Sequence, residues 1–452
     1  AMTYRQQGVD FWPGPIDTVT LVASSSLCSS FDGFYPIYKT QVDSQKNNLY
    51  TAGTMPQQIL NWPGNGVSAE NTSYKLAPYV DVNHNNMYDP LNGDYPIMYG
   101  DYGIYQIAND VGNTHGESGG AAFGIETHIT QYVVGCTSDT ILWNTMFTHY
   151  ELINRSANTY HNFDFTMWLD FDLGNYADDY IGCDTSLNLF YVYNGDNYDE
   201  DAGGLTGYHD RLPAFGGMFL NKKMSVFTTY SNTGSAVNGN PSSTGGGSIF
   251  NNLMSGVWEN GSAITYGGNG QTTTGQSTKF LYSGDPYTNT GWTESNAGQL
   301  PNDVRGLGSC TQNTFNPYDT LKIDFAYIFA PTNSSSNVES VHYLKQNAQS
   351  VQNYYNSNTT PCGSTFTSAI KQNGIGNNNQ VIVYPNPSSG SINIKSTNNI
   401  DGLKITNMLG QVIYEAKLQS QNASFQIESA GIYFVTTTVG KEINVQKVVV
   451  NK

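Results

Sequence analysis

The sequence predicts an all-β protein. An immunoglobulin- or fibronectin-like β-sandwich body with long loops and one late helix is followed by a small C-terminal β-sandwich. Three observations carry that expectation. Apolar and polar residues alternate along 125–134, 142–154 and 162–171, the period of half-buried strands. Charged residues are only 12% of the chain while aromatics reach 13%, with 32 Tyr and 47 Gly, a balance that suits pleated sheets and tight turns rather than coiled coils or disorder. The last seventy or so residues break into short alternating runs punctuated by Pro and Gly.

Taken in order, residues 1–118 are loop-rich, with Trp12-Pro13, Trp62-Pro63, Asn92-Gly93 and Tyr99-Gly100 as turn signals. Residues 119–370 form the sandwich body, in which the three alternating segments are expected to be neighbouring antiparallel strands. The Gly/Ser/Asn/Thr-rich stretch 231–275 reads as a long mobile excursion or a set of short edge strands. A strand returns at 320–329. Ser336 begins a capping-box spacing with Glu339, and Val338, Val341, Leu344, Ala348 and Val351 follow at three- and four-residue steps, which predicts a helix over about 337–355. Residues 371–380 are a polar, glycine-containing linker, and 381–452 a separate terminal domain.

That terminal domain holds the most specific signals. Val381-Ile382-Val383-Tyr384 runs into Pro385-Asn386-Pro387 and Gly390, then Ile392-Asn393-Ile394-Lys395 alternates. Leu403 to Tyr414 reads as a hairpin turning at Leu409-Gly410, followed by Gly431-Ile432-Tyr433-Phe434-Val435 and the closing Lys447-Val448-Val449-Val450. Over 381–452 this order resembles the type A C-terminal sorting domain of the Bacteroidetes type 9 secretion system. The resemblance implies export across an outer membrane by a translocon and its cargo-shuttle protein, then contact with surface attachment machinery or release outside the cell. The body resembles something too. Phe11-Trp12-Pro13-Gly14-Pro15, Asn61-Trp62-Pro63, Ala77-Pro78-Tyr79-Val80-Asp81-Val82-Asn83 and Asp179-Tyr180-Ile181-Gly182-Cys183-Asp184 recur in large secreted Bacteroidetes proteins of unassigned activity.

Net charge is −17 with a pI near 4.6, which excludes nucleic acid and anionic membranes as favoured partners, since neither releases counterions to a surface of its own sign. Five cysteines (Cys28, Cys136, Cys183, Cys310, Cys362) show no Cys-x-x-Cys spacing, so the sequence offers disulfides rather than zinc, with pairing left open and one thiol over. There is no run of eighteen apolar residues, and hence no membrane-spanning helix is predicted. No secretory signal stands at Ala1, although this export route needs one. The chain is therefore expected to begin at a processing site or downstream of a further segment.

Two acidic segments point to calcium. Asp81, Asn83, Asn85 and Asp89 place side-chain oxygens at positions 1, 3, 5 and 9 of a loop, and Met87 at position 7 offers its carbonyl. Asn86 stands where such loops carry glycine, and Asn92 where they carry the bidentate Glu, which leaves Asp94 as the expected closing carboxylate. The second set is Asp170, Asp172, Asp178, Asp179 and Asp184: like charges drawn together at a strand end need a cation or protons. Gly116-Glu117-Ser118-Gly119-Gly120 fits a nucleophile pattern, but only His84 and His115 precede it, and neither leaves room for a triad, so a glycine-rich turn is expected. Asp17-Thr18-Val19, Asp139-Thr140-Ile141 and Asp319-Thr320-Leu321 resemble acceptor triplets for Bacteroidetes O-glycans. Together these features predict a secreted or cell-surface, calcium-stabilised structural or adhesive protein, not an enzyme, that contacts glycans or copies of itself. A secreted hydrolase of polysaccharide or protein is the competing class.

Overall fold

The computed structural model describes residues 9–232, 237–241, 246–363, 381–384, 388–407, 411–440 and 442–450. The expected linker at 371–380, the Pro385–Pro387 turn and the Leu409-Gly410 turn lie outside the described residues. The chain divides into two compact units, Ala1–Ile370 and Lys371–Lys452. It is built mainly of antiparallel strands, as the alternation predicts.

In the first unit, β1 (Trp12–Pro13) and β2 (Tyr35–Tyr38) edge a large sheet, with α1 (Ser25–Ser30), α2 (Lys39–Lys46) and α3 (Gln57–Leu60) around them. Strands β3 (Tyr79–Val80) and β4 (Tyr95–Pro96) pair apart from it. The sheet continues through β5 (Tyr102–Asn109), β6 (Ile125–Val133) and β7 (Thr145–Asn154), with α4 (Thr140–Trp143) before the last. Next come β8 (Tyr160–Asp170), β9 (Asp179–Asp184), β10 (Leu189–Asn194), β11 (Ala214–Phe219) and β12 (Val226–Ser231). The body closes with α5 (Gly246–Ser255), β13 (Val304–Phe315), β14 (Thr320–Ala330) and α6 (Asn337–Ser357). The nine-stranded sheet runs β1-β5-β6-β7-β14-β11-β10-β9 with β2 on β5, and β12-β13-β8 forms a second sheet facing it.

Three expectations need correction. Residues 140–143 form a helical turn, because the Asp139 carboxylate accepts from the Ile141 and Leu142 backbone N–H groups at 2.8 and 3.1 Å and caps it. Strand β7 therefore begins at Thr145. Secondly, β8 is not a neighbour of β7: it crosses to the other sheet and pairs with β13. Buried Asn154 organises that corner, donating to the carbonyls of Asn158 (2.8 Å) and Phe315 (3.2 Å) while accepting from the Ser156 N–H (3.0 Å). Finally, the 231–275 stretch contains α5, whose Phe250 and Leu253 pack on Tyr230 and Leu307 of the smaller sheet. Its small polar residues concealed an apolar face two contacts wide.

Apolar packing follows the layers. Met167, Phe190, Phe219, Phe227, Cys310, Ile323 and Phe325 fill the space between the sheets. On the far side of the large sheet, Phe147, Tyr191, Ala326 and Ile328 meet Val341, Leu344, Ala348 and Val351 of α6, the residues whose spacing predicts the helix. The N-terminal loops build a third core from Leu27, Ile37, Ile59, Trp62, Tyr79 and Tyr105. In the second unit, β15 (Val381–Tyr384), β16 (Ser391–Asn407), β17 (Val412–Gln426), β18 (Gly431–Val439) and β19 (Glu442–Val450) form one sheet around Ile392, Ile394, Ile405, Val435 and Val448. The segments read separately as 392–395 and from Leu403 are one strand, β16, with register shifts that let it pair with β15, β17 and β18 in turn.

Two devices tie α6 to this frame. Cys136 and Cys362 form a disulfide across 226 residues, while Cys28, Cys183 and Cys310 are buried free thiols. Beside it, buried His149 on β7 contacts Asp324 of β14 through Nδ1 (2.6 Å) and Glu151 through Nε2 (3.2 Å). The Tyr355 hydroxyl of α6 donates to the same Asp324 at 2.6 Å. Burial works against the imidazolium, but the hydrogen bonds and charges of Asp324 and Glu151 win and raise the His149 pKa to about 9.

Cys136→Ser or Cys362→Ser should lower stability by about 2–5 kcal/mol through the freed loop, read as a drop in melting temperature that reductant reproduces in the native protein. His149 makes a second, pH-dependent contribution. Its folded pKa lies above the unfolded value of 6.5, so the stabilisation is complete below that value and disappears as pH rises through about 9. Urea midpoints should fall between about pH 6 and about pH 10, and Asp324→Asn should flatten that slope while costing about 3 kcal/mol.

Candidate functional site

The first acidic segment is a loop whose base is clamped by the β3–β4 pair, Tyr79 opposite Pro96 and Val80 opposite Tyr95. Within it the alternate side chains converge. Asn83 Nδ2 lies 3.2 Å from both Asp89 oxygens, and Asn85 Nδ2 lies 2.8 Å from Asp89 Oδ2. Asp81 accepts from the Asn85 and Asn86 backbone N–H groups at 3.2 and 2.7 Å, and Asn85 Oδ1 accepts from Met87 N–H at 2.8 Å. His84 and Asn86 take positive φ, 59° and 64°, so Asn86 occupies the conformation usually given to glycine in such loops. Hydrogen bonds, led by that from Asn92, hold the Asp89 carboxyl below its ordinary value.

Asp94 has a different task. It is fully buried, and its two oxygens accept from Val82 N–H (2.8 Å) and Asp89 N–H (2.9 Å), closing the loop through the backbone. Burial raises its pKa. The loop thus presents Asp81, Asn83, Asn85 and Asp89 outward, with Asp94 beneath as the buried strut rather than as the closing ligand.

The second segment does not assemble as one cluster. Asp170 and Asp172 meet Asp303, one carboxylate oxygen of each lying within 4.8 Å of the others. Arg305 stands among them, 2.7 Å from Asp170 Oδ1 and 2.5 Å from Asp303 Oδ1, and supplies positive charge there. Asp170 is raised by burial against the pull of that guanidinium. Asp303 and Arg305 are 130 or so residues downstream, and only the β8–β13 pairing brings them in, so nothing local announced them. Asp184 sits at the opposite end of β9 from Asp179 and pairs with Lys345 of α6 at 3.1 Å; burial opposes its ionisation, but Ser186 and Lys345 lower its pKa.

Asp179 is buried, with Oδ2 accepting from Leu173 N–H at 3.2 Å. Burial first, then neighbouring Asp178 and Asp199, push its pKa well up. Half-buried Asp178 accepts from Asn175 Nδ2 (2.9 Å) and Asn194 Nδ2 (3.3 Å), and burial followed by Asp199 lifts it to about 7.

Ser118 lies in a turn. Its backbone N–H and that of Glu117 donate to the buried Asp10 carboxylate at 3.1–3.3 Å, and its Oγ accepts from Gly120 N–H at 3.2 Å. His115 is buried with Nε2 held 2.7 Å from the Asp110 carbonyl. Of the O-glycan-like triplets, Thr140 and Thr320 are exposed, while the Thr18 hydroxyl donates to the Asn71 carbonyl at 2.7 Å.

Comparison with known proteins fixes the class of the chain. Residues 382–451 match the family described as a secretion system C-terminal sorting domain. The chain is thus a type 9 secretion cargo, directed to the cell surface or the exterior, and no described helix is long and apolar enough to cross a membrane. No curated protein sequence matches it. Among solved structures, a polysaccharide lyase aligns at 9% identity and a TM-score of 0.23, over 72% of this chain and 34% of the lyase. PorZ, an essential bacterial surface component of the type-IX secretion system of Porphyromonas gingivalis, aligns at 11% identity and a TM-score of 0.15, over 80% of this chain and 45% of PorZ. The chain spans about a third of the first and under half of the second, and such loose superpositions carry no argument about function.

Ser118→Ala should change stability by no more than about 0.5 kcal/mol and leave fluorophosphonate labelling of the chain at background. Gly119 has φ +64°, so Gly119→Val should cost about 1–3 kcal/mol through backbone strain although its surroundings are open, visible as a lower melting temperature.

Proposed function

We propose that this chain is a structural or adhesive β-protein of the cell surface or its exterior, its body stiffened by calcium, which works by contact with glycans or with copies of itself. The observation that carries the reading is the 81–89 loop. Asp81, Asn83, Asn85 and Asp89 gather at one exposed point, with both amides directed at the Asp89 carboxylate. A half-turn of each amide presents its oxygen instead, and the Met87 carbonyl adds a further hard ligand of the kind calcium takes in sixes to eights. The translocon and its cargo-shuttle protein would handle the terminal domain, and surface attachment machinery would act after export.

The proposed role of the metal is mechanical rather than chemical. The loop links β3 to β4 over the N-terminal core, and Gln45 of α2 already reaches it through the Pro90 and Asp94 carbonyls at 2.7 and 3.1 Å. A cation there would fix loop, helix and core together. Calcium at a hundredfold excess over Kd should stabilise the chain by about 3 kcal/mol. Chelator should lower the melting temperature by the corresponding amount, and Asp81→Ala should abolish most of that sensitivity. An unchanged melting curve in chelator, together with no calcium by elemental analysis, refutes the reading.

A further inference from the structure

Two loops meet at one end of the large sheet, the β8–β9 connection and the hairpin between β10 and β11. The Asn175 backbone N–H donates to Asp199 Oδ1 at 2.9 Å, and the Tyr176 ring lies 3.5 Å from the position a Cβ would take on Gly203 at the hairpin tip. Across the same junction Asp178 is close enough to Asp199 and Glu200 for their charges to raise its pKa, after burial. The hairpin itself is held by the Asp199–His209 bridge and by Tyr208 N–H donating to Asp199 Oδ2 at 2.7 Å.

This junction concentrates exposed aromatic and apolar side chains. Tyr176 is 38%, Tyr198 48%, Leu205 55% and Tyr208 40% exposed, all within a span of 33 positions and on loops that contact each other. His209 adopts φ 58°, a strained conformation for its type, and its ring lies parallel to Tyr198, 5.5 Å between centroids with 6° between planes. His209 Nε2 sits 2.9 Å from Asp201 Oδ1, which fixes the ring in that plane.

We propose that this surface binds a neutral or amino-bearing saccharide chain, with Tyr198, backed by the stacked His209 ring, and Tyr176 as the aromatic contacts and Asp178 and Glu200 as hydroxyl acceptors. Flat, held rings suit the C–H face of a pyranose and lose little conformational entropy on contact. Planar carboxyl and amide groups beside them accept from adjacent hydroxyls. The acids at this junction disfavour uronic-acid and sulfated polymers. The proposal rests on the contact reading above and specifies where that contact occurs.

The test uses the full chain in affinity electrophoresis and calorimetry with laminarin, yeast mannan and chitosan oligosaccharides, and with alginate and heparin as anionic comparisons. At least one of the first three should bind. Tyr198→Ala and Tyr176→Ala should each weaken that binding tenfold or more, whereas Tyr198→Phe and Tyr318→Ala, the latter at the opposite end of the large sheet, should leave it intact, with melting curves confirming that every variant folds. Binding that survives both alanine variants overturns this site and leaves the contact reading standing. Failure of all three polymers overturns the saccharide assignment, and self-association of the same chain then decides the contact reading separately. Preference for alginate or heparin, or occupation of the aromatic contacts by a protein partner, also overturns it.

Discussion

Burial of β14 on both faces organises the whole body. Leu321, Ile323 and Phe325 point into the space between the sheets, and Ala326, Ile328 and Ala330 point toward α6. A strand buried on both faces cannot alternate polar with apolar, so its length and its neighbours must supply the register. The partner is β7, bonded from Thr145 to Ile153, and the pairing joins segments some 175 positions apart. Everything else attaches to that pair: β5 and β6 on one side, β9 to β11 on the other, α6 over one face and the smaller sheet over the opposite one.

A chain with 19 lysines and arginines against 36 acids has few cations, and the body uses several of them as partners for acids near the core. Arg155 contacts buried Glu126 at 2.6 Å, whose other neighbours are His128 and the Ile16 N–H. Burial opposes ionisation of Glu126, but His128 and Arg155 together hold its pKa down to about 2. Lys345 serves Asp184, Arg305 serves Asp170 and Asp303, and Lys322 serves Glu151. Among the remaining acids are those of the 81–94 loop and the Asp196–Asp210 hairpin, where any ligand recognition by this protein must contend with negative charge.

Much of this was legible in the sequence because it is local. Period-two alternation located β6, β7 and β8, the three- and four-residue spacing located α6, and the Tyr384-Pro385-Asn386-Pro387 and Gly431-Ile432-Tyr433 signals located the sorting domain. The 81–89 ladder was readable for the same reason, since nine consecutive residues hold it. What failed was non-local. Nothing near Asp170 indicates Arg305, and nothing near Asp184 indicates Lys345; only strand pairing and helix packing bring them together. The crossing of β8 between sheets depends on Asn154, one polar residue at a corner. Helix α5 was hidden because Phe250 and Leu253 need few apolar companions when a sheet face covers them.

The Cys136–Cys362 bridge also sets a route for tension. A pull on the segment that follows the body enters at Cys362 and passes through the sulfur atoms to Cys136, at the end of β6, without loading the 225 residues between them. Helix α6, strands β7 to β14 and the aromatic hairpin then lie within a covalently closed loop that stretching cannot peel open from its C-terminal side. Within the body, only the N-terminal third, with its short helices and the 81–94 loop, remains in line with the load, so a cation at Asp81 would sit in the part of the body that has no covalent protection.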